Sequence, residues 1–167
     1  MGIPVWAVGQ VLAASDVNTW FVPLAPLKPS DTTITNSTAL ANDPDLFIPV
    51  ASVAAYSFTC FLDYEGGTQG SSDLKVHFTV PAGTTMRYHR KGIDTTGAST
   101  IGFLANETST FAAGSAGASS LKAVEMQGTI VTASTAGNVQ LQWAQNTSNA
   151  TSTIVHGQSN LIAFRIS

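Results

Sequence analysis

The chain has 167 residues, of which 44% are apolar and only 10% are charged, and its formal net charge is −3. This length and apolar content exclude a disordered chain and allow one sizeable domain with a buried core. The charged fraction is far below the quarter or so that is usual for soluble domains, and Ser, Thr, Asn, Gln and Gly take its place. Such a surface suits a subunit of a larger assembly, in which unpaired charges would be costly to desolvate, or an extracellular β-domain.

Several partners and compartments are disfavoured by the same numbers. The seven Lys and Arg residues are scattered apart from Arg87, Arg90 and Lys91, whereas binding to nucleic acid needs a basic face. The single cysteine, Cys60, rules out an intrachain disulfide framework. No stretch has the length of a membrane span, and the N-terminal residues lack a signal-peptide pattern. We therefore expect a protein that is made and folded in a cytosol, with no membrane partner.

Residues 1–44 are predicted to form an N-terminal arm with one short helix. Ser15 is a good N-cap, Asp16 suits the first helical turn, and Pro23 ends the helix. A polar stretch rich in Thr, Ser and Asn follows. The arm carries more apolar side chains than so short a helix can cover, so we expect it to dock on a partner, although it could also pack on its own domain. The candidate docking residues are Trp6, Val11, Leu12, Val17, Trp20 and Phe21.

Residues 45–167 change to the period-two pattern of strands. Residues 46–52 form a short strand in which Pro49 indicates a sheet edge. The next strand alternates from Tyr56 to Tyr64, and strands follow around residues 74–80, 84–92, 121–134, 137–145, 152–157 and 160–167. Residues 94–120 hold weak strands or a long loop. The fold class is all-β: an antiparallel β-sandwich or jelly-roll-like domain, preceded by the arm.

Nothing in the sequence indicates catalysis, and no cofactor is predicted. His77, His89 and His156 are widely spaced and best explained as exposed strand and turn residues. Asp63, Glu65 and Asp73 could hold Ca²⁺ or act on a sugar, but solvation of a loop explains them better. Cys60 alternates with aromatic residues and is interpreted as a small buried hydrophobe.

The strand at residues 137–145 raises a separate question, because its polar side carries glutamines rather than charged residues. Val139, Leu141 and Trp143 face the predicted core. On the polar side, we expect Gln140, Gln142 and Gln145 to contact other subunits, where amides bond without desolvating a charge. The alternative is that they face water.

Two groups of residues resemble virion proteins of tailed bacteriophages. Trp6, Gly9, Val11, Leu12, Asp16 and Asn18 are similar to the opening W-x-x-G-x-V-L-T-A-A-D-x-N of minor tail and fibre proteins of actinobacteriophages, with Ala13 replacing the usual Thr. The stretches 56–64, 73–83 and 141–148 resemble the β-rich domains of the same structural proteins. The resemblance implies a homotrimer whose β-domain is displayed outward and whose N-terminal segment docks on the particle.

The prediction from these observations is a non-enzymatic structural protein of the virion surface. Its partners would be further copies of itself and the major capsid protein or tail proteins, with a slight preference for capsid decoration over a minor tail component. A carbohydrate- or receptor-binding module of a tail fibre is the alternative, with a host surface glycan as ligand and exposed aromatic residues near Tyr64 or Tyr88. A sandwich-fold glycosidase acting through Asp63 and Asp73 is the third class.

Overall fold

The computed structural model of the chain describes residues 6–20, 22–104 and 109–167. These ranges contain one helix and eleven strands. The helix is α1 (Ala14–Trp20). The strands are β1 (Thr32–Ile34), β2 (Ala41–Val50), β3 (Ala55–Glu65), β4 (Leu74–Thr79), β5 (Thr85–Ile93), β6 (Ser99–Leu104), β7 (Phe111–Ala113), β8 (Lys122–Val131), β9 (Gly137–Gln145), β10 (Thr153–Val155) and β11 (Asn160–Arg165).

The strands form two antiparallel sheets, which confirms the predicted β-sandwich. One sheet has the order β2-β9-β4-β7, and the larger one contains β3-β8-β5-β6, with β10 and β11 both paired to β3 and β1 paired to β10. Strands β2 and β9, β3 and β8, β4 and β7, and β5 and β6 are antiparallel partners. Four such pairs, placed alternately in the two sheets, are the signature of one long antiparallel ribbon rolled into an eight-stranded jelly roll.

The core lies between the two sheets and follows the period-two pattern of the sequence. In β3 the side chains of Tyr56, Phe58, Cys60, Leu62 and Tyr64 are all buried, and in β4 those of Leu74, Val76 and Phe78 are. Three rings from different strands meet edge to face: the centroids of Phe58 and Phe78 are 5.9 Å apart, and those of Phe78 and Tyr88 are 5.6 Å apart. This geometry is the preferred one for aromatic pairs and joins the two sheets.

The predicted boundary between residues 44 and 45 falls inside β2, which begins at Ala41. Residues on the N-terminal side of β2 also belong to the sandwich. Leu24 and Leu27 form bridges to Ala163 and Asn160 beside β11, and β1 pairs with β10. Pairing with strands more than a hundred residues away in sequence supplies the hydrogen bonds of this segment. The Pro49 prediction is confirmed, because β2 is an edge strand of its sheet.

The weakly patterned stretch 94–120 contributes two edge strands. Strand β6 pairs with β5 at one edge of the larger sheet, and β7 pairs with β4 at one edge of the smaller sheet. An edge strand needs a partner on one side only, so few apolar anchors suffice.

Candidate functional site

The N-terminal arm begins its helix two residues earlier than the sequence indicated. The predicted N-cap was Ser15, but the backbone N–H groups of Asp16 and Val17 donate to the carbonyl of Ala13, so Ala13 is the N-cap. The Asp16 carboxylate accepts a hydrogen bond from the Ala13 N–H at 3.2 Å. This is one half of a capping box, in which an acidic residue at the third helical position reaches back to the N-cap.

Several apolar side chains in the described part of the arm are exposed to solvent. Val8 and Val11 are 108% and 90% exposed, and Leu12, Val17 and Val22 are exposed as well. Trp6 is half-buried. The side chain of Trp20 and the whole of Phe21 lie outside the described residues. Of the predicted docking residues, Val11, Leu12 and Val17 are thus available to a partner.

The arm contacts the sandwich at the ends of β2 and β11. Backbone hydrogen bonds from Leu24 N to Ala163 O, at 2.9 Å, and from Lys28 N to Ser159 O, at 2.8 Å, hold its continuation against β11. A cavity of about 190 Å³ lies between Asn18 and Val22 on one side and Pro49, Tyr56 and Arg165 on the other.

A buried ionic cluster fixes the residues that follow the arm. Lys28 Nζ lies 3.0 Å from Asp43 Oδ2 and 3.0 Å from Asp45 Oδ2, and the side chains of Lys28 and Asp43 have no exposed surface. Asp43 also accepts hydrogen bonds from Trp143 Nε1 at 3.0 Å and from the backbone N–H groups of Asp45 and Leu46. The cluster therefore joins residue 28, β2 and β9 into one unit.

This cluster was not predicted, although the sequence carried a signal for it. Lys28 is the first Lys or Arg of the chain and stands in the apolar stretch LAPLKPS. A lone lysine among apolar residues suggests a buried partner, but Asp43 lies 15 residues later, beyond β1, and cannot be identified from spacing.

The three glutamines of β9 use their amides within the chain. The ladder between β2 and β9 shifts register between Asn42 and Phe47, and Gln140 Nε2 donates to the carbonyls of Asp43 and Leu46 at 2.8 and 3.4 Å. Gln140 thereby satisfies backbone groups that the bulge takes out of the ladder.

The other two glutamines also have partners within the chain. Gln142 Nε2 donates to Asn42 Oδ1 at 2.8 Å. Gln145 is 0% exposed: its Oε1 accepts from the N–H groups of Ser37 and Asn149, and its Nε2 donates to Thr151 O. Gln145 therefore has no surface left for another subunit, while a contact through Gln140 or Gln142 stays a prediction.

The acidic residues considered for a Ca²⁺ site do not form a metal-binding group in the described ranges. Asp73 is buried, which corrects its interpretation as a solvated loop residue. Its Oδ1 accepts hydrogen bonds from Gly70 N and from Ser115 N and Oγ, so it closes the loop between β3 and β4. In the described ranges no group of three or more His, Cys, Asp or Glu could hold a metal ion.

His77 and His156 contact polar groups of their own chain. Nδ1 of His77 lies 3.3 Å from the carbonyl of Ser109, and Nδ1 of His156 lies 3.1 Å from Asp31 Oδ2. The N–H of Gly157, followed by His156, holds the pKa of the Asp31 carboxyl below its usual value. All three histidines, His77, His89 and His156, are half-buried rather than exposed as predicted. For His156 the reason is that the turn folds back on Asp31.

The aromatic residues proposed for glycan binding are mostly in the core. Tyr64 and Tyr88 are buried, and the Tyr64 hydroxyl donates to Gly114 O at 2.6 Å. Burial raises the pKa of both phenols. Cys60 is buried too, as predicted, and burial raises its thiol pKa. Tyr64 and Tyr88 therefore cannot offer their own rings to a glycan, since both side chains alternate toward the inside of the sandwich. The exposed aromatic residue near Tyr64 is Phe61, which is 39% exposed.

Among the described residues, no helix is both long and apolar enough to cross a membrane.

Comparison with known proteins gives no sequence relative. No protein-family model matches the chain, and no curated protein does. Two solved structures with similar backbones are components of virus particles. One is the tripod from the baseplate of bacteriophage Tuc2009, with a TM-score of 0.38 and 8% identity over 96% of this chain and 72% of that chain. The other is a subviral particle of infectious bursal disease virus, with a TM-score of 0.22 and 8% identity over 87% of this chain and 40% of that chain. Both TM-scores are too low to establish a common fold, so the jelly-roll assignment rests on the strand pairing.

Proposed function

We propose that the chain is a non-enzymatic structural protein of a bacteriophage virion, docked to the particle through residues 1–23. The sandwich would face outward, as a capsid decoration protein or a minor tail component, and further copies would complete a homotrimer. The observation that carries the proposal is the exposed apolar surface of the arm at Val8, Val11, Leu12, Val17 and Val22.

Exposure of these side chains is costly unless a partner covers them. Burial of apolar surface is worth about 25 cal/mol per Å², and α1 has only seven residues, too few for an isolated helix to be stable in water. An arm of this kind gains order and stability together when it meets a complementary surface. The resemblance of its motif to the opening of phage tail and fibre proteins supports a virion as the place of docking.

The composition of the chain also supports the proposed assembly of several copies. With 10% charged residues, the surface offers few ions that would have to be desolvated at contacts between subunits. Val131 and Phe164 of the larger sheet, and Ile166 directly after it, are also exposed. These residues give copies of the chain an apolar surface for self-association.

The arm is tested by substituting Val11 and Leu12 together with aspartate. The double variant should fold normally, because both side chains are exposed, but it should be absent from purified particles of the phage that encodes the chain. Mass spectrometry of the particles measures incorporation. Ile101→Asp is the matched control, since Ile101 is exposed on β6, outside the arm. Incorporation of the double variant at the wild-type level would contradict docking through the arm, and absence of the wild-type chain would contradict the virion assignment.

A further inference from the structure

A groove on the outward face of the larger sheet is separate from the arm and from the core. It has a volume of about 380 Å³ and is lined by residues that include Phe61, Lys91, Ser99, Leu121, Ala123 and Glu125. This volume falls in the range of roughly 300–1,000 Å³ found for small-molecule sites.

The strand register explains how the groove forms. Phe61 of β3 stands opposite Glu125 of β8, and Glu125 stands opposite Lys91 of β5. The three side chains form one row across the sheet because residues in register share a face. Beside this row, Ala123 stands opposite Asp63 and also lines the groove with its small side chain.

The groove is unusually rich in charge for this chain. The protein has seven Lys and Arg and ten Asp and Glu in all, yet Lys91, Lys122 and Glu125 line this one groove. None of them takes part in an ion pair within the described ranges. Lys122 stands opposite the buried Tyr64, so Lys91 and Glu125 are the charged residues that share the outward row with Phe61. They leave a donor and acceptors available for a ligand.

Phe61 adds an aromatic surface next to these charges. Its side chain is 39% exposed, although its neighbours Cys60 and Leu62 are fully buried in the core. An aromatic ring beside hydrogen-bonding side chains matches a sugar, which has an apolar face of C–H groups and a rim of hydroxyls.

We propose that this groove binds a saccharide that carries a carboxylate. The Phe61 ring would pack on the C–H face of the sugar, Glu125 would accept hydrogen bonds from hydroxyl groups, and Lys91 would pair with the carboxylate. The site goes beyond the proposed docking function, because none of its lining residues belongs to the arm and it needs no particle to bind its ligand.

The test is a ligand-observed NMR titration of the full chain with a glucuronic-acid oligosaccharide and with the matched glucose oligosaccharide. The acidic sugar should bind more tightly. Phe61→Ala should weaken its binding about fivefold or more, and Lys91→Gln should remove the preference for the acidic sugar. Phe47→Ala is the matched control: Phe47 is 39% exposed, as Phe61 is, but it lies on β2 of the other sheet, outside the groove, and should leave binding unchanged.

Three outcomes would overturn the proposal: no binding of the acidic sugar, equal binding of both sugars by the wild type, or unchanged binding in Phe61→Ala. A failure here would leave docking through the arm untouched, because incorporation into particles is measured separately.

Discussion

Val53 has a backbone φ of 50°, in the left-handed region that β-branched residues rarely adopt. The surrounding loop holds it there. Its N–H donates to Ala133 O at 2.7 Å, and Thr132 Oγ1 donates to Ala51 O at 2.7 Å while accepting from Ala54 N at 2.9 Å. These bonds fix the turn between β2 and β3, and the strain at Val53 persists because they outweigh it.

Replacing Val53 with asparagine should stabilise the protein. Asparagine tolerates the left-handed conformation, and the exposed valine side chain loses little packing. We expect the free energy of unfolding to rise by about 0.5–1 kcal/mol in urea denaturation. Val131→Asn is the control, because Val131 is also exposed but lies in a regular strand, where asparagine is disfavoured. Equal changes in the two variants would mean that the backbone strain has no part in the effect.

At the scale of single elements, Asp43 connects β2 to Lys28 and to β9. It is the only carboxylate of the described chain that is wholly buried against a lysine. Its second partner, Trp143, belongs to the core. A change in Asp43 therefore affects both the cluster and the packing of β9.

Asp43→Asn should lower the free energy of unfolding by about 3 kcal/mol or more, because it leaves the Lys28 charge buried with one partner instead of two. Asp45→Asn removes the other carboxylate, which is partly exposed, and should cost about 1 kcal/mol or less. Comparison of the two variants by urea denaturation checks the assignment. Similar losses in both would show that burial does not distinguish the two carboxylates.

The strands with a clear alternating pattern could be predicted from the sequence, and the elements held by distant partners could not. In β3, β4 and β9, the alternation of apolar and polar residues is enough to show which side faces the core. By contrast, β1 has three residues and exists because β10 lies beside it. The start of β2 reads as a turn, since Asn42, Asp43 and Pro44 are typical of turns, yet its bulge is satisfied by Gln140 from a strand nearly a hundred residues later.

The candidate site likewise has some features that the sequence predicts and others that depend on distant parts of the chain. The apolar character of the arm is a property of its sequence, and the exposure of Val11 and Leu12 agrees with it. The role of the glutamines depends on which backbone groups lack partners, which only the three-dimensional arrangement reveals. Phe61 was missed because alternation gives it the outward side without showing the groove beside it.

For the whole molecule, the division between docking arm and folded body lies near residue 23 rather than at residue 44. No described residue of the arm belongs to the core cluster, whereas Leu24 packs against it and Lys28 is buried in the ionic cluster. Residues 24–44 therefore belong to the body.

Two truncations test this division. Removal of residues 1–22 should change the free energy of unfolding by no more than about 1 kcal/mol, while abolishing incorporation into particles. Removal of residues 1–31 also deletes Lys28 and should cost about 3–5 kcal/mol, because Asp43 is left as a buried charge without its cation. Asp43→Asn should then add less to the longer truncation than it costs the full chain, since both changes break the same ion pair. Unfolding of the shorter truncation would show instead that the arm is part of the body, and its apolar residues would need no partner outside the chain.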